Sequence, residues 1–263
     1  MVKQRADEML VARGLAESRS QAQRLVMAGQ VRADGQVVAK ASSLLATEVS
    51  LEVDSGPRFV SRGGDKLAAA IMQFGLVVRG RVCADLGAST GGFTDCLLEH
   101  GAAKVYAIDV GKGQLHWKLR QDPRVVVMEG TNARFVDKLT ERVNLVTIDA
   151  SFISLRTLLP VVRGWLADPG ELLALIKPQF EAGKSDVGKG KGVIRDPQIH
   201  RQVLAEILEF ARGQGFQIAG LMRSPLLGPK GNAEFLFWAN NSIQGELDAG
   251  RLIEPLFVTA SES

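Results

Sequence analysis

The feature that most limits how this chain can fold is an alternation of short apolar runs and amphipathic stretches that begins near residue 82. Seven runs have the length and composition of strands, at Val82–Leu86, Val105–Val110, Val125–Met128, Leu145–Ile148, Leu172–Ile176, Phe216–Leu221 and Glu234–Trp238. Helical periodicity separates most of them, at Phe93–His100, Leu155–Leu166 and Gln198–Gly213. This order predicts an α/β fold, a doubly wound parallel sheet whose last strand is antiparallel.

The first part of the chain has a different pattern, which predicts a small α+β domain. Residues 5–28 fit two short helices, the second capped by Ser18 or Ser20, and Asp34-Gly35 is a hairpin-turn signal. A cluster of turn-forming residues then interrupts the pattern at residues 55–57. We therefore predict a first domain at residues 1–56, a linker at 57–60 and a second domain at 61–263.

Composition excludes several classes of protein. The sequence has no apolar run of about 18 residues and no apolar stretch behind its polar start, so neither a membrane-spanning helix nor a secretory signal is expected. With two cysteines and three histidines, a disulfide framework or a zinc cluster is not expected either. We expect Cys83 and Cys96 to be buried thiols of a cytoplasmic protein. The net charge of +3 fits a polyanionic partner without requiring one.

The strongest motif is a glycine-rich turn between the first strand of the second domain and the next helix. A nicotinamide cofactor prefers G-x-G-x-x-G, a spacing that fails here, and a Walker A loop fails because Pro178 stands where its first glycine should be. A D-x-G-x-x-x-G turn suits S-adenosylmethionine, which has no phosphate. The candidate cofactor residues in the turn are Asp85, Gly87, Ala88, Ser89, Gly91, Gly92 and Phe93. A purely structural turn is the alternative.

Two later positions extend this cofactor hypothesis. Asp109 ends the second strand, at about the position where an acidic side chain hydrogen-bonds to the ribose hydroxyls in nucleotide-binding folds. Asn132 follows the third strand and is a candidate contact for adenine or ribose, although it could equally close its own loop.

The residues after the fourth strand, Asp149-Ala150-Ser151-Phe152, bear on the reaction. They lack the prolines of the [ND]-P-P-[FYW] sequence that enzymes methylating exocyclic amines place there, and both cysteines fall in predicted core elements. A hydroxyl acceptor is therefore favoured. A lysine whose pKa falls well below its usual value of about 10.4 could take the hydroxyl proton. Candidates near the ends of strands are Asp149, Lys177 and Glu234, and Lys66 lies on the helix before the first strand.

These residues resemble a known set. Lys66, Asp149, Lys177 and Glu234 match the Lys-Asp-Lys-Glu tetrad of the FtsJ-like 2′-O-ribose methyltransferases, and the surrounding runs look like the hemolysin A (TlyA) family. Those runs are Val60–Leu67, the glycine turn, Asp109–Leu115, Asp149–Leu155, Lys177–Glu181 and Gly231–Glu234. Lys112 departs from the family, where an aromatic residue is expected. The first domain is similar to the RNA-binding module of small-subunit ribosomal protein four, through Gly14–Ala22, Gly29–Arg32 and Asp34–Val37.

The resemblance implies a Rossmann-like, S-adenosylmethionine-dependent methyltransferase that modifies cytidine 2′-hydroxyls in 16S or 23S ribosomal RNA, or both. It implies that Lys177 accepts or modulates the proton, that Asp149 orients it beside the cofactor's methyl group, and that Lys66 and Glu234 complete the network. Ribosomal RNA within ribosomal subunits is the expected partner, with no membrane and no metal, and a monomer is favoured. The expected RNA contacts, which could instead be solvated charges, are Arg19, Arg24, Arg32, Lys40, Arg58, Arg62, Lys189 and Lys191.

Two other functions stay open on the sequence alone. A non-catalytic ribosome assembly factor could keep a degenerate methyltransferase fold, although the intact glycine turn argues against it. A membrane-active haemolysin would fit the family name, but no amphipathic segment of suitable length supports it.

Overall fold

The computed structural model describes residues 2–54, 56–183, 192–242 and 247–258. The chain divides into two compact units, Met1–Arg58 and Phe59–Ser263. The Gly/Lys-rich stretch at 183–192, interpreted in the sequence as a mobile loop, falls almost entirely outside the described residues. No helix within those ranges is long and apolar enough to cross a membrane.

The first unit has two helices and two small antiparallel sheets. The helices are α1 (Ala6–Ala12) and α2 (Arg19–Met27). The strands are β1 (Lys3–Arg5), β2 (Val31–Ala33), β3 (Gln36–Val37), β4 (Leu44–Ala46) and β5 (Leu51–Val53). One sheet pairs β1 with β4, and the other has the order β3-β2-β5. The two predicted helices and the hairpin are confirmed, whereas the β1–β4 pair was not predicted.

Local chemistry explains the two confirmed features. The Ser18 hydroxyl accepts a hydrogen bond from the amide of Gln21, which satisfies a free N–H in the first turn of α2. Asp34 and Gly35 both have positive φ angles, 49° and 80°, as the two central residues of a type I′ hairpin turn require. The turn therefore sets the register in which Ala33 pairs with Gln36.

The second unit has a seven-stranded sheet. Its strands are β6 (Val82–Leu86), β7 (Lys104–Asp109), β8 (Val125–Glu129), β9 (Val143–Ile148), β10 (Leu166–Ile176), β11 (Gln217–Arg223) and β12 (Phe235–Asn240). The order is β11-β12-β10-β9-β6-β7-β8. Strands β6 to β10 run parallel, and β12 is antiparallel to both of its neighbours. The predicted doubly wound sheet with an antiparallel last strand is confirmed.

Seven helices accompany this sheet in the described residues. They are α3 (Gly63–Phe74), α4 (Gly92–Glu99), α5 (Trp117–Arg120), α6 (Leu155–Trp165), α7 (Pro178–Glu181), α8 (Pro197–Gly213) and α9 (Ala249–Ile253). Single 3₁₀ turns occur at Ala133–Phe135, Pro229–Gly231 and Glu254–Leu256.

Both faces of the large sheet are covered at its central strands, which explains why these strands have continuous apolar sequences, whereas the edge strand β8 is partly exposed. In β10, Leu172 and Ala174 belong to one core cluster with α6 and α8, and Leu173 and Leu175 belong to another with α3 and α4. Successive residues of a strand point to opposite faces, so both sets must be apolar. Burying one such leucine contributes about 1.5–3 kcal/mol.

The two cysteines lie in this core. Cys83 on β6 and Cys96 on α4 are buried and form no disulfide, as the sequence predicts. Burial raises the pKa of the Cys83 thiol to about 12. A thiol in that state is not a nucleophile near neutral pH.

Candidate active site

The site lies where the parallel strands β6, β7, β9 and β10 end, and its centre is the turn between β6 and α4. Gly87 has a φ of 79°, and a Cβ at this position would lie 2.7 Å from the carbonyl oxygen of Asp149. The Asp149 amide in turn donates to the carbonyl of Leu86 at 2.9 Å. Only glycine allows the turn to approach the Asp149 loop this closely.

A second close approach brings α3 against the start of α4. A Cβ on Gly92 would overlap the hydroxyl of Ser61 and would lie 2.9 Å from the amide of Gly64. A Cβ on Gly64 would overlap the ring of Phe59. These contacts hold the first turn of α3, and with it Lys66, beside the glycine turn.

Asp85, a predicted cofactor residue, lies in the interior beneath the glycine turn. The residue is fully buried, and its two carboxylate oxygens accept hydrogen bonds from Thr94 at 2.7 Å and from Thr147 at 3.1 Å. Burial raises the pKa of its carboxyl group to about 7. Asp85 lines neither of the cavities described below, and its assignment as a cofactor contact stays a prediction. It joins β6, α4 and β9 beneath the turn.

Two adjoining cavities open around the turn. The tetrad cavity, of about 440 Å³, is lined by Ser61, Arg62, Gly63, Lys66, Gly87–Thr90, Gly92, Phe93, Asp149, Ser151, Lys177, Leu226–Pro229 and Glu234. The Asp109 cavity, of about 630 Å³, is lined by Leu86, Gly87, Ser89, Ile108–Val110, Gln114, Thr131–Arg134, Asp149–Ile153 and Leu158. Gly87, Ser89, Asp149 and Ser151 line both. A ligand lying along the turn could therefore extend from one cavity into the other.

Asp109 and Asn132 both line the second cavity, and both also support their own loops. The Asp109 carboxylate accepts from the amide of Ser89 at 2.8 Å and from that of Gly111 at 2.7 Å. The side-chain oxygen of Asn132 accepts from the amide of Arg134 at 3.1 Å. Gly91 lines neither cavity, and its φ of 97° places it at the start of α4.

Lys66 and Glu234 form a buried ion pair in the tetrad cavity. The Lys66 ammonium lies 2.6 Å from Oε2 of Glu234, whose residue is only 1% exposed. The other carboxylate oxygen, Oε1, is buried and has no hydrogen-bond partner in the part of the chain described here. A Cβ on Gly228 would overlap this oxygen, so the 226–229 loop presses directly on the carboxylate.

Lys177 and Asp149 form the second ion pair. The Lys177 ammonium lies 2.5 Å from Oδ1 of Asp149, and it donates to the hydroxyl of Ser151 at 3.0 Å. Lys177 is 7% exposed, so water has little access to its charged group. The structure thus brings all four predicted residues to one cavity as two lysine–carboxylate pairs.

Several lining residues were not predicted from the sequence. Ser61 and Thr90 lie within runs that resemble the family but were not chosen as site residues, and residues 226–229 carry no motif that could have identified them. Ser151 stood in the quoted run after the fourth strand, and its hydroxyl was the available signal. Phe152 is 91% exposed with a φ of +64°, and its ring centroid lies 5.0 Å from that of Phe180. An exposed ring at the rim of a cavity suits stacking by a nucleobase.

The predicted RNA contacts are only partly free to bind phosphate. The Arg19 guanidinium lies 3.1 Å from the buried carboxylate of Asp7 and 3.5 Å from that of Glu8. Arg19 thus links α2 to α1. These ion pairs compete with the predicted contact between its guanidinium and an RNA phosphate. Arg24, Arg32, Lys40, Arg58 and Arg62 are exposed, and Arg62 lines the tetrad cavity. Lys189 and Lys191 lie outside the described residues.

The site fits S-adenosylmethionine on its own geometry. Gly87 lets the turn approach the Asp149 loop closely, two adjoining cavities meet at this glycine, and Asp109 stands at the end of β7 beside the second cavity. The ligand carries no phosphate, which agrees with a turn that lacks the phosphate-binding spacing. No group of three or more metal-ligating side chains occurs among the described residues. Fold and site together define the class of S-adenosylmethionine-dependent methyltransferases.

Comparison with known proteins gives the family. The FtsJ-like methyltransferase family matches residues 59–241, and the S4 domain matches residues 4–49. A Bacillus subtilis protein provisionally named rRNA methyltransferase YqxC is 45% identical over 99% of this chain and 96% of its own. The 16S/23S rRNA (cytidine-2′-O)-methyltransferase TlyA of Mycobacterium tuberculosis is 45% identical over 98% of this chain and 97% of its own.

A solved structure agrees with this assignment. A Streptococcus thermophilus protein, provisionally named a hemolysin, is 41% identical and covers 97% of this chain and 96% of its own, with a TM-score of 0.72. The chain therefore belongs to the FtsJ-like methyltransferase family, in the group of TlyA and hemolysin A proteins, and carries an S4 domain at its start. It is an enzyme whose cofactor is S-adenosylmethionine.

Proposed function

We propose that this enzyme methylates the 2′-hydroxyl of a cytidine in 16S or 23S ribosomal RNA, or both. The observation that supports it best is the convergence of Lys66, Asp149, Lys177 and Glu234 on one cavity that adjoins a second cavity suited to a nucleoside. The tuberculosis relative, which matches over nearly the full length, is named for that reaction.

The side chains of the site support a hydroxyl group as the acceptor of the methyl group. Bound S-adenosylmethionine supplies an electrophilic methyl group and a neutral leaving group, so the protein has only to position an oxygen and manage its proton. Lys177 in its unprotonated form accepts the hydroxyl proton as the oxygen becomes the nucleophile. Asp149, 2.5 Å from the Lys177 nitrogen, holds that nitrogen in place and stabilises the ammonium that results.

The second pair orients the ribose. Glu234 lines the tetrad cavity, and its buried Oε1 has no hydrogen-bond partner in the described residues, so we assign this carboxylate the role of accepting from a sugar hydroxyl of the bound substrate. Lys66, held 2.6 Å from the other oxygen, holds the carboxylate in place. Reactions through a cysteine nucleophile are disfavoured because both thiols are buried in the core.

Ribosomal RNA is proposed as the partner on the basis of the S4 domain and the relatives' names. Arg24, Arg32 and Lys40 of the first unit are exposed and suit phosphate contacts. An enzyme with this substrate acts where ribosomes are assembled, in the cytoplasm. A non-catalytic assembly factor would not need two lysine–carboxylate pairs arranged on one cavity.

The test is transfer of a labelled methyl group from S-adenosylmethionine to purified, unmethylated ribosomal subunits. Label located on ribose is expected with the wild-type enzyme, and none with Lys177→Ala. Lys104→Ala is the matched control, because Lys104 is an exposed lysine paired with Glu141 at the opposite end of the sheet, and it should retain full activity. Label on a base, or undiminished transfer by Lys177→Ala, would overturn the proposal.

A further inference from the structure

Glu129, the last residue of β8, makes an unusually large number of contacts for a side chain that lines neither cavity. Its Oε1 accepts from the amides of Gln114 and Leu115 at 2.8 and 2.9 Å, and its Oε2 accepts from the amide of Gly113 at 2.8 Å. The guanidinium of Arg120 lies 2.5 Å from Oε2 and also donates to the carbonyl of Leu115 at 2.9 Å. Three consecutive amides and one arginine thus surround a single carboxylate.

This arrangement resembles an anion-binding nest closed around an internal carboxylate instead of a ligand. Successive N–H groups converge on a negative charge when the backbone between them turns sharply, and Gly113 supplies that turn with a φ of 71°. The hydrogen bond from Arg120 and those from the three amides hold the pKa of Glu129 down, at about 2. Glu129 is therefore charged throughout the physiological range.

The segment that Glu129 holds, residues 113–120, reaches the glycine turn at three points. The side-chain oxygen of Gln114 lies 3.4 Å from the hydroxyl of Ser89, and the amide of His116 donates to the carbonyl of Thr90 at 3.1 Å. Leu115 and Leu119 fill the space beside Gly91, where a Cβ would lie 2.8 Å from Leu115 and would overlap Leu119. Gln114 itself lines the Asp109 cavity.

We propose that Glu129 is a positioning residue for the cofactor site: it fixes segment 113–120, and this segment holds the Ser89–Gly91 part of the glycine turn in the conformation that receives S-adenosylmethionine. Glu129 acts through this segment and does not touch the cofactor. The inference rests on the cofactor assignment and is independent of which RNA is methylated.

The direct test is titration calorimetry of S-adenosylmethionine and S-adenosylhomocysteine with Glu129→Gln. The amide side chain presents an N–H₂ group where an oxygen accepted before, so at least one of the four contacts becomes a repulsion between donors. We expect the Kd for both ligands to rise about tenfold or more, since about 1.4 kcal/mol corresponds to a factor of ten. Hydrogen exchange of the amides of Gly113, Gln114 and Leu115 should accelerate in the same variant.

Glu141→Gln is the matched control. Glu141 is also a carboxylate that accepts from a cation and a further side chain, Lys104 and Tyr106, but it lies before β9 rather than at the strand end near the cofactor cavities. Its substitution should leave both Kd values within about twofold of the wild type. If Glu129→Gln prevents folding, Arg120→Met removes the guanidinium's contacts with Glu129 and with the carbonyl of Leu115 while the carboxylate and the three amides stay, and it should raise Kd by a smaller factor.

The inference would be overturned if Glu129→Gln accelerated amide exchange at 113–115 while binding both ligands as tightly as the wild type. Where methyl transfer can be measured, the KM for S-adenosylmethionine should rise while kcat at saturating cofactor stays within about twofold. A failure to methylate ribosomal RNA at all would contradict the proposed substrate but would leave the binding and exchange results to decide the role of Glu129.

Discussion

Gly228 and Glu234 illustrate how closely the site is packed at the scale of single residues. Gly228 has an ordinary negative φ of −72°, so its backbone would accept any residue. What excludes a larger residue is the Glu234 carboxylate, which a Cβ would overlap. The position of a charged group in the site therefore depends on a neighbouring residue that has no side chain.

Gly228→Ala should lower methyl transfer by about 100-fold, because the displaced Glu234 carboxylate can no longer hold Lys66 at 2.6 Å and misplacement of about 1 Å in an active site has effects of that size. The Kd for S-adenosylmethionine should change little, which calorimetry can check. Gly164→Ala on α6 is the control, since a Cβ there meets nothing within 4 Å. That variant should keep its activity and gain about 1 kcal/mol in stability. Equal activities of the two variants would show that the 226–229 loop can move to make room for the alanine side chain without displacing Glu234.

Asp85→Asn should change how stability depends on pH. The pKa of Asp85 in the folded chain, about 7, lies above its unfolded value, so the folded state keeps a proton that the unfolded state has lost. Its contribution to stability is therefore present at low pH and is lost as pH rises from about 4 through 7. Between pH 5 and pH 8 this loss amounts to about 2–3 kcal/mol, and the asparagine variant should not show it.

Urea unfolding at pH 5 and pH 8 provides the measurement. Tryptophan fluorescence reports on the second unit alone, because Trp117, Trp165 and Trp238 all belong to it. The unfolding free energy of the variant minus that of the wild type should be about 2–3 kcal/mol larger at pH 8 than at pH 5. Parallel pH dependences would show that Asp85 is ionised in the folded protein.

At the scale of secondary-structure elements, Glu181 joins the two loops that carry the Lys177–Asp149 ion pair. Glu181 lies on α7, directly after Lys177, and its carboxylate accepts from the hydroxyl of Ser154 at 2.5 Å and the amide of Leu155 at 2.8 Å. Those groups form the start of α6, directly after the Asp149 loop. Burial raises the pKa of Glu181, and the two hydrogen bonds oppose that shift. The loops after β9 and β10 are thereby held to each other.

Glu181→Ala should lower kcat about tenfold and reduce thermal stability, because the start of α6 loses its partner and Lys177 can move relative to Asp149. Glu181→Gln should retain most of both properties, since its oxygen can accept from Leu155 and its N–H₂ can donate to Ser154. Single-turnover methyl transfer and a thermal melt distinguish the two variants. A glutamine variant as impaired as the alanine variant would mean that charge, not the hydrogen bonds, is what matters at this position.

The elements that the sequence predicted are those with their own periodicity. Apolar runs identify β6 to β12, most of which are buried on both faces, and Ser18 and Asp34-Gly35 mark a helix start and a turn by local chemistry. The β1–β4 pair was missed because it joins Lys3–Arg5 to Leu44–Ala46, and three-residue strands have too little pattern to predict so distant a pairing. The extension of β10 back to Leu166 was missed because Pro169 and Gly170 interrupt its apolar run.

The residues of the candidate site also differ in whether a sequence pattern could predict them. Gly87 and Asp109 could be selected because their spacing follows a backbone geometry, and the tetrad came from resemblance to a family. The burial of Asp85 could not be predicted, because a sequence does not reveal whether a carboxylate at a strand end turns toward the cavity or into the interior. The 226–229 loop could not be found, since its contribution is the close approach of Gly228 to a residue of another element.

At the scale of the whole molecule, the two cavities and the S4 domain belong to different units of the chain. Every residue lining either cavity belongs to Phe59–Ser263, whereas the S4 domain occupies residues 4–49. Each unit also has a hydrophobic cluster of its own. The cofactor can thus be bound by one unit while, under the proposed function, the other contributes affinity for RNA.

The position of β12 has a consequence for how the enzyme is made. This strand is the last to be synthesised, yet it lies between β10 and β11 and brings Glu234 to the site. A growing chain released only as far as residue 230 lacks both the strand and the carboxylate, and the hydrogen-bonding edge of β10 has no neighbour on that side. If Glu234 acts as proposed, methyl transfer must therefore wait until β12 has emerged from the exit tunnel and has paired with β10.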